Sequence, residues 1–152
     1  MAVSFTTDRM LRFGDCDISG TAYYPSYLNI LNGVVEEFWT KIGYPWHEII
    51  WKQRWGTPTV HLECNFSKPS FFGDVLTFKV TVTRVGRSSL SLSHEIFCGE
   101  ELRWTVNQVL AASWLDKHTS MTWPDDVRAK LVSFLPPEKS SEERKPVSSP
   151  SR

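Results

Sequence analysis

Residues 13–43 decide the fold of this 152-residue chain, and they read FGDCDISGTAYYPSYLNILNGVVEEFWTKIG. Pro25 suits the first turn of a helix, and Gly43 followed by Pro45 is a stop signal. Between these signals, apolar side chains recur every three or four residues, which is the spacing of one helix face. The residues of this stripe are Tyr27, Ile30, Leu31, Val34, Val35, Phe38, Trp39 and Ile42. The pattern predicts one long amphipathic helix.

Strand-like segments lie on both sides of this helix. One precedes it, from Phe5 to Phe13, and four follow it, over about 58–66, 75–85, 88–97 and 104–116. Apolar and polar residues alternate through 75–85 and 88–97, as expected of antiparallel strands with one buried face. Gly86-Arg87 and Gly99-Glu100 predict tight connections between neighbouring strands. A short helix is predicted at 125–134, after Pro124.

This order of elements predicts an α+β fold, in which one antiparallel sheet wraps around one long central helix. The predicted domain spans residues 1–135. From Pro136 onward, Pro, Ser, Glu, Lys and Arg prevail and Val147 is the one larger aliphatic residue. Such a composition cannot bury enough apolar surface to fold, so 136–152 is predicted to be a disordered tail. Trp39, Trp104 and Trp114 fall on predicted elements and are expected in the core.

The composition narrows the functional classes. Lysine and arginine together number 17, as do aspartate and glutamate, so no broad basic surface is expected for nucleic acid or an anionic membrane. Three cysteines without a C-x-x-C pair indicate neither a zinc site nor a disulfide framework. The first residues lack the apolar core of a signal peptide, and no apolar run has the length of a membrane span. A soluble, cytoplasmic protein is expected.

The loop before the helix carries the chemistry of interest. Asp15 and Asp17 lie in a glycine-containing segment next to a helix start, where free N–H groups and a partial positive charge are available. Such a terminus can stabilise an oxyanion, and a nearby carboxylate can attack a carbonyl or activate a water molecule. Alternatively, both aspartates are ordinary loop or capping residues, which is the commonest role of aspartate at this position.

The segment F-G-D-C-D-x-x-G-x-x-Y-Y-P-x-Y, residues 13–27, resembles the 4-hydroxybenzoyl-CoA thioesterase family of hotdog-fold proteins. Asp17, Gly20, Tyr24, Pro25 and Tyr27 match that motif at unbroken spacing, and the order of strands agrees over roughly residues 3–120. The resemblance implies a hotdog fold and an acyl-CoA thioesterase. It implies that Asp17 acts as nucleophile or general base and that the backbone amide of Tyr24 faces the thioester carbonyl.

The resemblance also implies a homodimer or homotetramer with active sites at subunit interfaces. No metal or redox cofactor is expected, since CoA is part of the substrate. An aromatic or short acyl group is expected. Family members specific for the 4-hydroxybenzoyl group place an aspartate at the position of Asn32, so a neutral amide here puts the preference for a 4-hydroxyl group in question. Asn32 lies on the polar helix stripe, which lines a pocket or faces solvent or a partner subunit.

Two further groups are candidates for substrate binding. His61 and Glu63 alternate onto one face of a predicted strand, where they either position substrate or form an ordinary polar face. Arg87, Ser88 and Ser89 resemble the basic and hydroxyl-bearing stretch with which the family holds nucleotide phosphates, although an arginine at a turn is usually only solvated.

Other classes of function stay open at this stage. A hotdog enzyme of the hydratase type generally needs a His/Asp pair on the central helix or its approach, and no histidine lies between residues 1 and 46. A non-catalytic acyl-CoA-binding module is the other alternative, and no positive feature of the sequence indicates it. Product analysis separates the three, because only a thioesterase releases free thiol.

Overall fold

A five-stranded antiparallel sheet in the order β1-β4-β5-β6-β3 forms the body of the molecule. A computed structural model describes residues 3–137, so the predicted tail lies outside the described residues except for its first two positions. The strands are β1 (Phe5–Met10), β2 (Trp55–Gly56), β3 (Thr59–Phe66), β4 (Val75–Val85), β5 (Ser89–Cys98), β6 (Glu101–Ala111), β7 (Ser113–Trp114) and β8 (Thr119–Ser120). The helices are α1 (Tyr24–Lys41), α2 (Trp46–Trp51) and α3 (Asp125–Val132).

The predicted periodicities match the buried faces. The stripe of α1 is buried from Tyr27 to Ile42 except at Ile30, which is partly buried against the core. The alternating face of β4 is buried at Leu76, Phe78 and Val80. Burying each such side chain is worth about 1.5–3 kcal/mol, so packing on the sheet holds the helix in place more than its intrinsic propensity does. The predicted α+β fold with one sheet around one long helix is confirmed.

Several boundaries differ from the predicted ones. β1 ends at Met10, three residues before the predicted end of the strand at Phe13, and Phe13 instead begins a single 3₁₀ turn over Phe13–Asp15. β6 ends at Ala111, and Trp114 belongs to a separate three-stranded sheet in the order β2-β7-β8. The prediction of Trp114 as a core residue is wrong, since it is 44% exposed, whereas Trp39 and Trp104 are fully buried.

β3 stands at the edge of the large sheet and is the least covered of its long strands. All its residues are exposed except Cys64, which is partly buried. Leu62 and Phe66 on its face toward the core are 40% and 50% exposed, and Val60, in an irregularity of the pairing with β6, is 61% exposed. The free backbone N–H and C=O groups of an edge strand are a ready template for pairing with another chain, and exposed apolar side chains add surface that such pairing would bury.

No helix within residues 3–137 is long and apolar enough to cross a membrane.

Candidate active site

The first turn of α1 leaves one backbone amide free. Tyr23 precedes the helix in an extended conformation, and its carbonyl oxygen accepts hydrogen bonds from the amides of Ser26 (3.0 Å) and Tyr27 (3.3 Å). Pro25 has no N–H to offer. The amide of Tyr24 is therefore the one N–H of this turn without an acceptor among the described residues. It lies where the helix dipole is positive, so it suits a developing negative charge.

The loop that carries Asp17 is closed by backbone hydrogen bonds. The Asp17 amide donates to the carbonyl oxygen of Thr21 at 3.0 Å, and the Gly20 amide donates to that of Asp17 at 3.0 Å. Gly20 has a φ of 79°, a left-handed conformation that favours glycine. Cys16 and Ala22 pair as an isolated antiparallel bridge at the base of the turn. The turn projects the Asp17 side chain into solvent.

One oxygen of the Asp17 carboxylate is held within this loop. Its Oδ1 accepts hydrogen bonds from the amide of Ser19 at 2.8 Å and from the Ser19 hydroxyl. These bonds, the one from the hydroxyl first, lower the pKa of Asp17 below its ordinary value. The carboxylate is therefore ionised at neutral pH, as a nucleophile or a general base must be.

A second loop, residues 67–74, supports the first. The Ala22 amide donates to the carbonyl oxygen of Ser70 at 2.9 Å, and the Phe72 amide donates to that of Gly20 at 2.9 Å. Arg103 of β6 holds this second loop through an ion pair with Asp74 at 2.8 Å, and its side chain is only 12% exposed. The position of Asp17 thus depends on contacts that reach the sheet.

Two open cavities are lined by residues of the Asp17 loop, of the start of α1 and of the second loop. The first, of about 290 Å³, is lined by Tyr24 and by residues of the second loop that include Lys68. The second, of about 680 Å³, is lined by Asp17, Cys16 and the apolar side chains of Phe13, Ile18 and Phe72. Asp17 and Tyr24 therefore line different cavities of this chain, and neither of the two is lined by both groups.

The remaining predicted site residues lie apart from this pair. Asn32 is exposed on α1, eight residues and thus about 12 Å along the helix from Tyr24. His61 and Glu63 are exposed on the face of β3 that points away from the core, because the alternate residue Leu62 shares a face with the buried Gln108. Within a single copy of the chain, neither His61 nor Glu63 lines either of the two cavities.

The turn that carries Arg87, Ser88 and Ser89 lies at the far end of the sheet from Asp17. β4 begins beside the end of β1, near the Asp17 loop, and runs ten residues to Val85, a distance of about 33 Å. The Arg87 backbone is fixed because its carbonyl oxygen accepts a hydrogen bond from the Trp123 amide at 3.0 Å. Its guanidinium is exposed. Arg87 cannot reach Asp17 of the same chain.

Sequence reasoning missed Ser19 and Arg103 as residues that fix the loop. Ser19 had a local signal, because an aspartate in a turn commonly accepts a hydrogen bond from the backbone amide two residues on. Arg103 had none, since its partner Asp74 is 29 residues away. Within residues 3–137, no cluster of three or more His, Cys, Asp or Glu side chains could hold a metal ion.

The fold and this loop define a hotdog-fold protein of the thioesterase class. The model of the thioesterase-like superfamily matches residues 11–131, and the chain belongs to that superfamily. It is 30% identical over 98 residues to a 4-hydroxybenzoyl-CoA thioesterase of Pseudomonas sp. (strain CBS-3), an alignment that covers 63% of this chain and 70% of the relative. It is 25% identical over 136 residues to a 1,4-dihydroxy-2-naphthoyl-CoA hydrolase of Nostoc punctiforme (strain ATCC 29133 / PCC 73102), covering 90% and 84%.

Solved structures agree with the fold. A thioesterase superfamily protein from Jannaschia sp. CCS1 superposes with a TM-score of 0.82 at 23% identity, covering 88% of this chain and 94% of that one. The 4-hydroxybenzoyl-CoA thioesterase from Pseudomonas sp. strain CBS-3 superposes with a TM-score of 0.76 at 25% identity, covering 84% and 98%. The predicted family and the predicted hotdog fold are confirmed.

Proposed function

We propose that this protein hydrolyses an acyl-CoA thioester to a free acid and CoA, with Asp17 as its catalytic carboxylate. The observation that carries the proposal is an ionised carboxylate in a loop that leads directly into the first turn of α1, where neither its Oδ2 nor the Tyr24 amide has a partner among the described residues. The relatives of this chain support the proposal, because they are named as hydrolases of aromatic acyl-CoA thioesters.

Two routes are compatible with this pair of groups. In the first, Oδ2 of Asp17 bonds to the thioester carbon, the carbon–sulfur bond breaks, and water then hydrolyses the acyl–aspartyl anhydride. In the second, Asp17 removes a proton from a water molecule that attacks the same carbon. In both routes the carbonyl oxygen becomes negative, the Tyr24 amide stabilises it, and the departing CoA thiolate takes up a proton.

The acyl group is proposed to be aromatic or short. Asn32, at the position where relatives specific for 4-hydroxybenzoyl carry an aspartate, donates as well as accepts hydrogen bonds. An amide does not require a phenol hydroxyl on the substrate, so the proposal includes acyl groups with other ring substituents. His61 and Glu63 are proposed to meet substrate only from the β3 of a second copy.

We place the CoA phosphates at Arg87, Ser88 and Ser89 of another copy. The exposed guanidinium and two nearby hydroxyls are suitable donors for phosphate oxygens. Because the turn lies about 33 Å along β4 from the Asp17 end of the same sheet, the nucleotide of a substrate bound at Asp17 can meet it only across a subunit interface.

A homodimer or homotetramer in the cytoplasm is proposed, with no resident cofactor. The support for assembly is the unpaired edge of β3 with its exposed Val60 and Leu62. Three cysteines without disulfide bonds are consistent with a reducing compartment. Sedimentation equilibrium measures the assembly, and a monomer at micromolar concentration would contradict it.

The decisive experiment compares Asp17→Asn with the wild type on a panel of aromatic and short acyl-CoAs, by release of free thiol. Replacing the carboxylate by an amide of the same shape should reduce kcat about a hundredfold or more. Asp15→Asn is the matched control two residues away, because the one hydrogen bond of the Asp15 side chain among the described residues is accepted from the Arg12 amide at 2.9 Å, and an asparagine oxygen can accept it instead. Equal rates for wild type and Asp17→Asn would exclude Asp17 from catalysis.

A further inference from the structure

Ser19 makes two contacts to one oxygen of the Asp17 carboxylate. Its amide and its hydroxyl both donate to Oδ1, and no donor among the described residues contacts Oδ2. Two donors on the same oxygen restrict rotation of the carboxylate about χ1 and χ2. Because Asp17 is exposed, no packing would otherwise restrict that rotation.

Thr21 completes a chain of hydroxyl groups. The Oγ atoms of Ser19 and Thr21 are 2.7 Å apart. A serine hydroxyl has one proton, and the carboxylate already receives it, so the proton between the two hydroxyls must come from Thr21. The order of donation is therefore Thr21 to Ser19 to Asp17. Each bond in such a chain polarises the next and strengthens it.

We propose that Ser19 is a positioning residue for thioester cleavage: it fixes Oδ1 of Asp17, so that Oδ2 is the oxygen that acts on the substrate, and Thr21 orients the Ser19 hydroxyl for this task. The inference rests on the proposed function, because it assigns a role within the same site. It also explains why an exposed side chain on a loop can have one defined orientation.

The two hydrogen bonds from Ser19 also change the pKa of Asp17, and this change can be measured. The bonds to Oδ1 stabilise the ionised form and lower the pKa of Asp17, with the Ser19 hydroxyl as the largest cause. Loss of the hydroxyl should therefore raise the pKa of Asp17 and also loosen its orientation. A merely structural serine would change stability and leave the acid limb of the pH–rate profile unmoved.

The test uses Ser19→Ala, Ser19→Thr and Thr21→Val in the full chain. Ser19→Ala keeps the hydrogen bond from the backbone amide of residue 19 to Oδ1 of Asp17. The backbone hydrogen bonds that close the loop do not involve the Ser19 side chain, so the variant should fold. We expect kcat to fall about tenfold with KM unchanged, since one hydrogen bond to a charged group is lost. The acid limb of the kcat profile should move to higher pH. Ser19→Thr should restore both, and Thr21→Val should change both less than Ser19→Ala does.

A titration of the Asp17 carboxyl carbon by ¹³C NMR, without substrate, separates this inference from the proposed function. An Asp17 pKa that is unchanged in Ser19→Ala, or a Ser19→Thr variant as impaired as Ser19→Ala, would overturn the role of Ser19. A wild type that releases no thiol from any member of the panel would overturn the proposed function, whatever the titration shows.

Discussion

His94 occupies a core position of β5 and is fully buried. One ring nitrogen, Nε2, bonds the side-chain oxygen of Gln108 at 2.9 Å, and the Gln108 amide donates to the Thr59 hydroxyl at 3.0 Å. The other nitrogen, Nδ1, is buried and has no hydrogen-bond partner within residues 3–137. Because Gln108 offers an oxygen to Nε2, the neutral ring carries its proton there. A second proton would leave a charge in the core without a counter-ion.

Burial lowers the pKa of His94 from 6.5 to about 4, and the bond to Gln108 opposes that change. The unfolded chain thus binds a proton at a pH where the folded chain does not. Stability from this residue is complete above about pH 6.5 and is lost as the pH falls toward 4. Between pH 7 and pH 5 the loss is about 2 kcal/mol; it reaches about 3 kcal/mol at pH 4 and levels off below that pH.

The measurement is urea unfolding at pH 7, 6 and 5, followed by tryptophan fluorescence. Carboxylates with a lowered pKa, such as Asp17 and Asp74, titrate mainly below pH 5. The change in stability between pH 7 and pH 5 therefore reports mainly on His94. In a thermal scan the same loss lowers Tm by about 4–8 °C. His94→Gln retains a donor for Gln108 and cannot titrate, so its stability should change little over the range. His47→Gln, at a side chain that is 72% exposed, is the matched control and should follow the wild type.

Identical slopes of stability against pH for the wild type and His94→Gln would refute the reasoning. They would mean that the ring accepts its proton in the folded state, with the sheet opening or a water molecule entering beside Nδ1.

Two further predictions concern the site. Tyr24→Pro should lower kcat about 10²–10³-fold in the thiol-release assay, because it deletes the amide N–H. Proline is tolerated at this position, since Tyr23 is extended and residue 24 lies in the first helical turn. Tyr24→Ala keeps the amide N–H, so its kcat should remain close to that of the wild type. Arg87→Ala should raise KM for an acyl-CoA about tenfold with kcat unchanged, whereas KM for the matching acyl-pantetheine thioester, which lacks the nucleotide phosphates, should not change. A rise in KM for both substrates would contradict the assignment of Arg87 to phosphate.

Much of the fold could be predicted because its signals are local. The stripe of α1 and the alternation of β4 each lie within one element, and β4 matches its predicted range of Val75–Val85. The small sheet could not be predicted in this way. Each of its strands has two residues, and the pairing of Trp55 with Trp114 joins segments 59 residues apart. Propensity over two residues carries too little information to indicate such a contact.

In the candidate site too, the features with a local sequence signal could be predicted and those that depend on distant contacts could not. Asp17 and Tyr24 come from one continuous segment, so sequence spacing alone places the carboxylate next to the helix start. The support from Arg103 depends on the packing of β6 against a distant loop, and no local pattern indicates it. The predicted roles of His61 and Arg87 depend on a second copy, so they stay predictions.

Because Asp17 and the edge of β3 are both exposed, we expect the proposed site to need a covering surface. Charges 4 Å apart interact by about 1 kcal/mol in water and by about 4 kcal/mol at an effective dielectric constant of 20. An oxyanion at the Tyr24 amide therefore gains little while solvent fills the open cavities, and a covering surface would raise that gain several-fold. The apolar rim of Phe13 and Phe72, 83% and 58% exposed, is suited to being covered. If the proposed oligomer dissociates on dilution, we expect kcat to fall in step with dissociation, with no earlier rise in KM. Specific activity that stays constant while sedimentation shows dissociation would contradict this dependence on a second copy.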